Sequence, residues 1–341
     1  ESDNLSDLIF SNLQLSKGPK VVVIGGGTGL SVMLRGLKAK TYNLTAVVTV
    51  ADDGGSTGRI RQDLDIIAPG DLRNCLVALA DKEGLMEKLF AHSFGNLFIA
   101  ALIEVLGDVE EAMDATSKVL RVRGKVIPSS AEKLRLNAEM TDGRIVEGES
   151  QIPHAHGKIK RVFTTPEHPR AIQSAVDAIR EADAIVLGPG SLYTSIMPNL
   201  CVPDIVQAVR TSKAPKIYIC NVMTQPGETD DYTVSDHIRA INRQAGGKVI
   251  DFVIANNGDV DPAVLQRYVA HGSHPVMIDK KEVSQTGATL ILSNLINKEN
   301  SATHDTKKLA NVLFDLINAL RTDLSPELLH YYLKRYTFNH R

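Results

Sequence analysis

The side chains best suited to chemistry lie in short glycine-rich or polar stretches, each of which follows an apolar run or opens a helical pattern. The first stretch, Gly25 to Gly29, separates the run Val21 to Ile24 from a helical pattern that begins at Leu30. Glycines let a ligand approach the backbone closely, and a helix N-terminus offers free N–H groups to a phosphate. We therefore predict ligand contact here, with a tight turn without ligand as the alternative. The candidate residues are Gly26, Gly27, Thr28 and Gly29.

A second stretch, Ala51 to Arg59, carries two adjacent carboxylates after the next apolar run. In a nucleotide-binding fold, an acidic residue at this strand end holds ribose hydroxyls. A carboxylate beside a phosphate is repulsive unless it takes a sugar hydroxyl or a cation such as Mg²⁺ bridges the two. We expect one of the pair to meet ribose or magnesium, with solvated acids in a turn as the alternative. The candidate residues are Asp52, Asp53, Gly54, Gly55, Ser56 and Thr57.

Two further stretches open predicted helices. Asp71 is suited to cap the helix that begins there, whereas Arg73 and Asn74 bring a cation into the first turn, where the helix dipole disfavours it unless an anion binds. His92 precedes an apolar helix that carries Asn96, and this histidine is a general acid, a phosphate ligand or a structural residue. The candidates for a catalytic role, which the sequence leaves unassigned, are Asp52, Asp53 and His92.

Two more polar stretches follow apolar runs later in the chain. In the first, Ser191 comes after Gly-Pro-Gly and does not sit in a G-x-S-x-G elbow, so its hydroxyl suits a phosphate better than nucleophilic attack. The second follows the run Lys216 to Cys220 and is similarly polar. The candidate ligand-binding residues of these two stretches are Gly188, Pro189, Gly190, Ser191, Tyr193, Asn221, Thr224 and Gln225.

The elements that must position these residues alternate between strand and helix. Short continuous apolar runs recur along the chain, as a parallel sheet covered on both faces requires, and helical patterns fill the gaps. This alternation predicts an α/β fold with a doubly wound, mostly parallel sheet. Ligands of such sheets bind outside the carboxyl ends of the strands, so we expect the polar stretches to gather along one edge.

One segment interrupts the alternation. Two runs flank Asp142-Gly143, a favoured two-residue turn, which predicts a small antiparallel hairpin insertion over residues 126–165. The predicted boundaries are then an N-terminal extension over 1–19, a main domain over 20–300 and C-terminal helices over 301–341.

Composition restricts the class of protein. The 341 residues carry a formal net charge of −2, which argues against a nucleic-acid binder, and the three cysteines lie far apart, as in a reducing cytosol. No apolar run reaches the roughly 18 residues of a membrane span, and the first residues lack a signal-peptide pattern. We expect a cytoplasmic protein that binds a nucleotide-type small molecule. A homodimer and a regulatory protein partner are both compatible with the sequence, which identifies neither.

Five of these stretches together resemble the signature motifs of the YvcK-type, gluconeogenesis-factor branch of the CofD-like family. They run in the expected order, and they are Gly25–Ser31, Thr49–Gly58, Pro69–Asn74, Leu187–Ser195 and Met223–Thr229. The resemblance implies a Rossmann-like fold. It also implies a cytoplasmic protein needed for growth on gluconeogenic carbon sources and for normal cell shape.

The resemblance implies two chemistries for the same scaffold. YvcK-type members bind UDP-sugars, notably UDP-N-acetylglucosamine, and in that case Tyr268 is expected to pack on the sugar or base. The related CofD enzymes transfer a phospholactyl group from a guanosine-diphosphate (GDP) carrier to a deazaflavin with magnesium. A UDP-sugar-binding regulator is the leading hypothesis and a magnesium-dependent transferase the alternative. An NAD-dependent oxidoreductase is the third, although Leu30 stands where the dinucleotide pattern has its third glycine.

Two departures from the family pattern bear on the ligand. Family members carry extra residues, with an Arg-Phe element, between the positions of Phe90 and His92, where this chain has Ala91 alone. Near the C-terminus the family commonly has Arg-His, and the arginine is linked to UDP-sugar binding. This chain has Thr303-His304 there, which leaves the sugar specificity open.

Overall fold

The computed structural model describes residues 12–55, 57–58, 64, 66–81, 85–90, 93–297 and 301–322. Its largest feature is a sheet of seven strands, all short and almost wholly buried. These strands are β1 (Val21–Gly25), β2 (Leu44–Val48), β3 (Lys125–Pro128), β7 (Ala184–Leu187), β8 (Lys216–Ile219), β9 (Phe252–Asn256) and β10 (Thr289–Ser293), with β4 to β6 forming a separate sheet.

The seven strands lie in the order β10-β9-β8-β7-β1-β2-β3, and every neighbouring pair is parallel. The chain builds outward from β1 to β2 and β3, then returns to the other side of β1 and continues from β7 to β10. Strands β1 and β7 are paired in register from Val21↔Ala184 to Ile24↔Leu187. The fold is therefore the predicted Rossmann-like, doubly wound α/β sheet, and its topological switch point lies between β1 and β7.

α-Helices connect and cover these strands, and twelve of them lie wholly within the described residues. They are α1 (Gly27–Leu37), α2 (Gly70–Leu79), α3 (Leu85–Phe90), α4 (Ser93–Leu106), α5 (Val109–Leu120), α6 (Gln173–Arg180), α7 (Met197–Leu200), α8 (Pro203–Thr211), α9 (Val234–Gln244), α10 (Pro262–Ala270), α11 (Lys280–Thr286) and α12 (Thr306–Arg321). Because helices flank both faces of the sheet, the strands need apolar side chains on both faces, which explains their continuous apolar runs. Of the two predicted C-terminal helices, the second lies outside the described residues.

A three-stranded antiparallel sheet interrupts the main fold, as the Asp142-Gly143 turn predicted. It has the order β5-β4-β6, with β4 at Arg135–Met140, β5 at Ile145–Glu147 and β6 at Ile159–Thr165, and a 3₁₀ turn at Glu149–His154 links β5 to β6. Its first strand starts nine residues after the predicted boundary at 126, because Lys125–Pro128 pairs in parallel with β2 as the edge strand of the main sheet.

No helix of the described chain is both long and apolar enough to cross a membrane.

Helix α1, which carries the first glycine stretch at its N-terminus, is held by a close contact with α12. A Cβ atom at Gly36 would lie 2.6 Å from both the Cβ of Ala310 and the carbonyl oxygen of Thr306. A glycine at this position lets the two helices approach each other. The position of α1 therefore depends on a residue that has no side chain.

We predict that Gly36→Ala lowers the free energy of unfolding by roughly 1–3 kcal/mol, because the added methyl overpacks the contact between α1 and α12. Helix propensity alone would favour alanine by about 1 kcal/mol, so the sign of the change separates the two effects. Urea denaturation measures it. The exposed Arg35→Ala on the same helix is the control and should change stability by less than about 0.5 kcal/mol. A Gly36→Ala variant more stable than wild type would contradict this packing.

Candidate ligand-binding site

A cleft of about 340 Å³ opens at the carboxyl ends of β1, β7 and β8, where the switch point of the sheet lies. It is lined by Gly26, Gly27, Thr28, Gly29, Val32, Pro189, Gly190, Ser191, Ser195, Asn221, Val222, Met223, Gln225, Tyr268, Ala302, Thr303 and His304. The loops after three strands meet here because parallel strands place their carboxyl ends at the same edge. The predicted gathering of the polar stretches is thus realised by three of them.

The two glycine loops face each other across the floor of the cleft. A Cβ atom at Gly29 would lie 2.9 Å from the carbonyl oxygen of Pro189 and 3.2 Å from the Cα of Gly190, so glycine is required for the two backbones to approach this closely. Gly27, the first residue of α1, has a φ of +68°, which also favours glycine. These positions explain why the sequence has consecutive glycines where a simple turn would need one.

The loop after β7 leads into a π-turn, Leu192–Ile196, which the sequence did not reveal. Ser191 and Ser195 lie on this segment and line the cleft. The amide of Gln225 donates from Nε2 to the Ser191 hydroxyl at 2.7 Å, and Asn221 Nδ2 donates to Gln225 Oε1 at 3.1 Å. The loops after β7 and β8 are thereby joined by a chain of polar side chains. Ser195 ends the motif Leu187–Ser195, but the sequence did not identify it as a residue of the cleft.

The opposite wall of the cleft comes from Tyr268 on α10 and from the segment before α12. His304 is buried, and its Nε2 donates to the carbonyl oxygen of Cys220 at the end of β8 at 3.1 Å. Burial lowers the pKa of His304 to about 4, so this histidine is neutral at neutral pH. Its hydrogen bond fixes Thr303, the residue at the position of the family arginine, beside the cleft.

The two carboxylates of the second stretch do not line the cleft. Asp52 Oδ1 accepts from the Gly54 backbone N–H at 2.9 Å, which is the turn geometry considered as the alternative. Asp53 accepts from the backbone N–H groups of Glu149 at 3.1 Å and Ser150 at 2.9 Å. Asp53 therefore holds the 3₁₀ turn of the antiparallel sheet against the main domain.

Most of the remaining predicted residues also point elsewhere. Arg73 Nη2 donates to Asn74 Oδ1 at 2.8 Å, and the Arg73 guanidinium faces Asp71 and Asp52. Thr224 Oγ1 accepts from the His274 backbone N–H at 2.9 Å. Two predicted residues, Ser56 and His92, lie outside the described residues. The others that do not line the cleft are Gly54, Gly55, Thr57, Asn96, Gly188 and Tyr193.

Asp71 does not have the capping role that the sequence suggested. Helix α2 begins one residue earlier, at Gly70, and its cap position is Pro69, which has no side-chain hydrogen bond. The Asp71 carboxyl instead accepts from the backbone N–H of Gly27 at the start of α1. It thereby satisfies one free donor of the helix that opens onto the cleft.

Several carboxyl groups converge beneath the cleft. Desolvation, reinforced by the charges of Asp52 and Asp53, raises the pKa of Glu149 to about 8. Burial raises the pKa of Glu228 to about 7 and that of Asp71 to about 6. Glu228 Oε1 accepts from the Thr194 hydroxyl at 3.1 Å, which joins this cluster to the π-turn. Glu228 belongs to the motif Met223–Thr229, but no local signal placed it or Glu149 near Asp52, because each lies far along the chain from that residue.

These carboxyls do not form a metal site within the described part of the chain, where no group of three or more metal-ligating side chains could hold an ion. Both oxygens of Asp53 already accept backbone hydrogen bonds. The described side chains therefore provide no group of three or more ligands for the magnesium ion considered from the sequence.

Comparison with known proteins agrees with this architecture. A family model described as 2-phospho-L-lactate transferase CofD matches residues 21–296. The gluconeogenesis factor of Bacillus subtilis is 48% identical over 315 residues, 89% of this chain and 99% of its own length. A relative from Nostoc is 50% identical over 325 residues, 91% of this chain and 71% of its own length. A crystal structure of a Bacillus halodurans protein, 46% identical, superposes with a TM-score of 0.84 and covers 87% of this chain and 99% of that one.

The raised pKa of Glu149 predicts a pH-dependent stability. The folded value of about 8 exceeds the ordinary value of 4.5, so the folded state binds the proton more tightly, and stability falls as pH rises from about 4.5 through about 8. Glu149→Gln removes this effect. At pH 8.5 the variant should be more stable than wild type by roughly 1–3 kcal/mol, and at pH 4.5 the gain should largely vanish.

Thermal or urea unfolding across this pH range measures the effect. The control is Glu147→Gln, an exposed residue on the same small sheet that pairs with Arg135 at 3.0 Å. It should change stability by at most about 1 kcal/mol. A Glu149→Gln variant that tracks the wild-type profile from pH 4.5 to 8.5 would contradict the buried, protonated carboxyl.

Proposed function

This chain belongs to the CofD family, and on that premise we propose that it is a nucleotide-sugar-binding regulatory protein of the gluconeogenesis-factor type. Its ligand would be a UDP-sugar such as UDP-N-acetylglucosamine, held in the cleft at the switch point. The observation that carries the proposal is the close approach of the glycine loops after β1 and β7, with Gly29 against Pro189. In open α/β sheets this is the place where nucleotides bind.

The chemistry of the cleft floor suits a diphosphate. Helix α1 points its N-terminus into the cleft, and the backbone N–H groups of Thr28 and Gly29 lie in the first turn, where the helix dipole favours an anion. The hydroxyls of Ser191 and Ser195 add donors on the facing loop. None of the described side chains that line the cleft is a carboxylate, and the Asp71 carboxyl at the start of α1 already accepts from the Gly27 N–H.

The outer wall suits a base or a sugar. Tyr268 is half-buried and packs against an apolar cluster that includes Val222 and Met223, which also line the cleft. An aromatic ring supported in this way offers a face for stacking and a hydroxyl for hydrogen bonding. Asn221 and Gln225 supply amide groups nearby, which can pair with the polar edge of a base.

The regulatory role is part of the proposal, and the same features support it. The cleft collects binding groups, and the carboxyls beneath it are hydrogen-bonded to backbone or buried. We extend the proposal to the cellular roles that the resemblance implies, namely growth on gluconeogenic carbon sources and maintenance of cell shape by a cytoplasmic protein. The second candidate, a magnesium-dependent phospholactyl transferase, is favoured by the description of the family model, which names that activity.

Gly29→Ala should weaken binding of UDP-N-acetylglucosamine by at least about tenfold, because its methyl forces apart the loops that hold the diphosphate. Calorimetric titration measures this affinity. Gly54→Ala is the matched control, since its Cβ would meet only the Asp52 carboxylate, at 3.4 Å, outside the cleft. An equal loss of affinity in both variants would argue that the glycine loop after β1 has no special role in binding the UDP-sugar.

Tyr268→Ala should also weaken binding of the UDP-sugar by roughly tenfold or more. Tyr268→Phe keeps the ring and should retain the wild-type affinity within a few-fold. The same titrations with GDP and NAD, each with and without magnesium, compare the candidate functions. Binding of the UDP-sugar alone, independent of magnesium, is the expected result. A preference for GDP that requires magnesium would favour the transferase, and unchanged affinity in Tyr268→Ala would refute the proposed wall.

A further inference from the structure

A second cavity, of about 400 Å³, lies next to the π-turn and shares no lining residue with the cleft. We call it the rear cavity, and it is lined by Lys160, Arg161, Val162, Tyr193, Met197, Ala240, Arg243 and Gln244. Its floor is apolar, since Val162, Met197 and Ala240 are buried. Its rim carries Lys160, Arg161 and Arg243, all of them exposed. A concave apolar floor with a few convergent charged groups is the usual form of a small-molecule site.

Two of these cations reach the rear cavity through a β-bulge. In the pairing of β4 with β6, Glu139 lies opposite Arg161 and Met140 lies opposite Ile159, so Lys160 is an extra residue without a partner. Neighbouring residues of a regular strand point to opposite faces. Here both Lys160 and Arg161 contact the one carboxylate of Glu139, at 2.5 and 2.6 Å. The bulge has therefore turned both cations to the same side, as bulges beside binding sites do.

The π-turn supplies a polar side chain, that of Tyr193, to the rear cavity. Tyr193 lies in the π-turn Leu192–Ile196, and its hydroxyl hydrogen-bonds to Tyr232 Oη at 2.7 Å and to the side chain of Arg243. A single π-helical turn of this kind is rare and is frequently found at functional sites. The same turn also carries Ser195 into the cleft, so a single turn contributes to both cavities.

The charges on the rim do not balance. Lys160 and Arg161 share the single carboxylate of Glu139, whereas the side-chain partner of Arg243 here is the uncharged Tyr193. None of the described residues that line the rear cavity is acidic, so its rim is positively charged. The last turn of α9 explains a cation at Arg243, because the helix dipole favours it there. Stacking on Phe163, at 5.2 Å, contributes to the position of Arg161. Neither effect accounts for the bulge that adds Lys160 or for the apolar floor between these groups.

We propose that the rear cavity binds a small organic anion, with its phosphate or carboxylate group held by Arg243, Lys160 and Arg161 and its apolar body on Met197 and Val162. Guanidinium and ammonium groups form their strongest hydrogen bonds with such oxyanions. The site is separate from the nucleotide-sugar cleft and does not depend on the function proposed for it.

The experiment uses phenyl phosphate as the probe, because it combines a dianion with an apolar ring, and ligand-observed NMR titration of the full chain to measure its affinity. We expect saturable binding that is roughly tenfold weaker in Arg243→Met and also weaker in Lys160→Met. Methionine keeps the apolar stem of each residue and removes the charge. Arg180→Met, at an exposed cation on α6, should bind as wild type does.

Three results would overturn the proposal. The first is an unchanged affinity in both Arg243→Met and Lys160→Met. The second is equally tight binding of benzyl alcohol, which has the ring without the anion. The third is loss of phenyl phosphate binding in Gly29→Ala, which would place the probe in the cleft. If Arg243→Met still binds UDP-N-acetylglucosamine, the cleft is intact in this variant. A failure of the rear-cavity proposal can then be told apart from a failure of the proposed function.

Discussion

The site depends on one steric constraint, the approach of two backbone loops at the switch point of the sheet. Because β1 and β7 are parallel neighbours whose connections leave in opposite directions, no crossover covers the gap above them. The loops that follow these strands can then face each other, but only without side chains, as the 2.9 Å between a Cβ at Gly29 and the Pro189 carbonyl oxygen shows. The cleft at the switch point depends on this approach.

Beneath the loops, the protein concentrates carboxyl groups in a partly desolvated region, and their hydrogen bonds connect distant parts of the chain. Asp71 of α2 accepts from Gly27 of α1, and Asp53 accepts from the 3₁₀ turn of the small antiparallel sheet. Glu228 reaches the π-turn through Thr194. The carboxyls thus position the backbone that forms the cleft, and protonation of Glu149 and Glu228 limits the repulsion among them.

The fold alone does not decide between regulation and transfer, since doubly wound sheets support many activities and function resides in the site. What distinguishes this site is an uncharged lining of backbone N–H groups, hydroxyls and amides around an exposed helix end. Such a lining recognises a diphosphate by geometry and helix dipole. Charged side chains lie near this lining without being part of it, as Asp71 does at the start of α1, or line the rear cavity, as Arg243 does.

Local patterns in the sequence are enough to predict the order of the elements and the edge of the sheet at which the polar loops gather. Apolar runs and glycine turns are local signals, and parallel strands bring their carboxyl ends together whatever the loops contain. Tertiary structure decided which polar side chains open into the cleft. Asp53 was a candidate until Glu149, 96 residues further along the chain, was found to donate to it. The direction of a polar side chain depends on such distant partners, whose positions only the folded chain specifies.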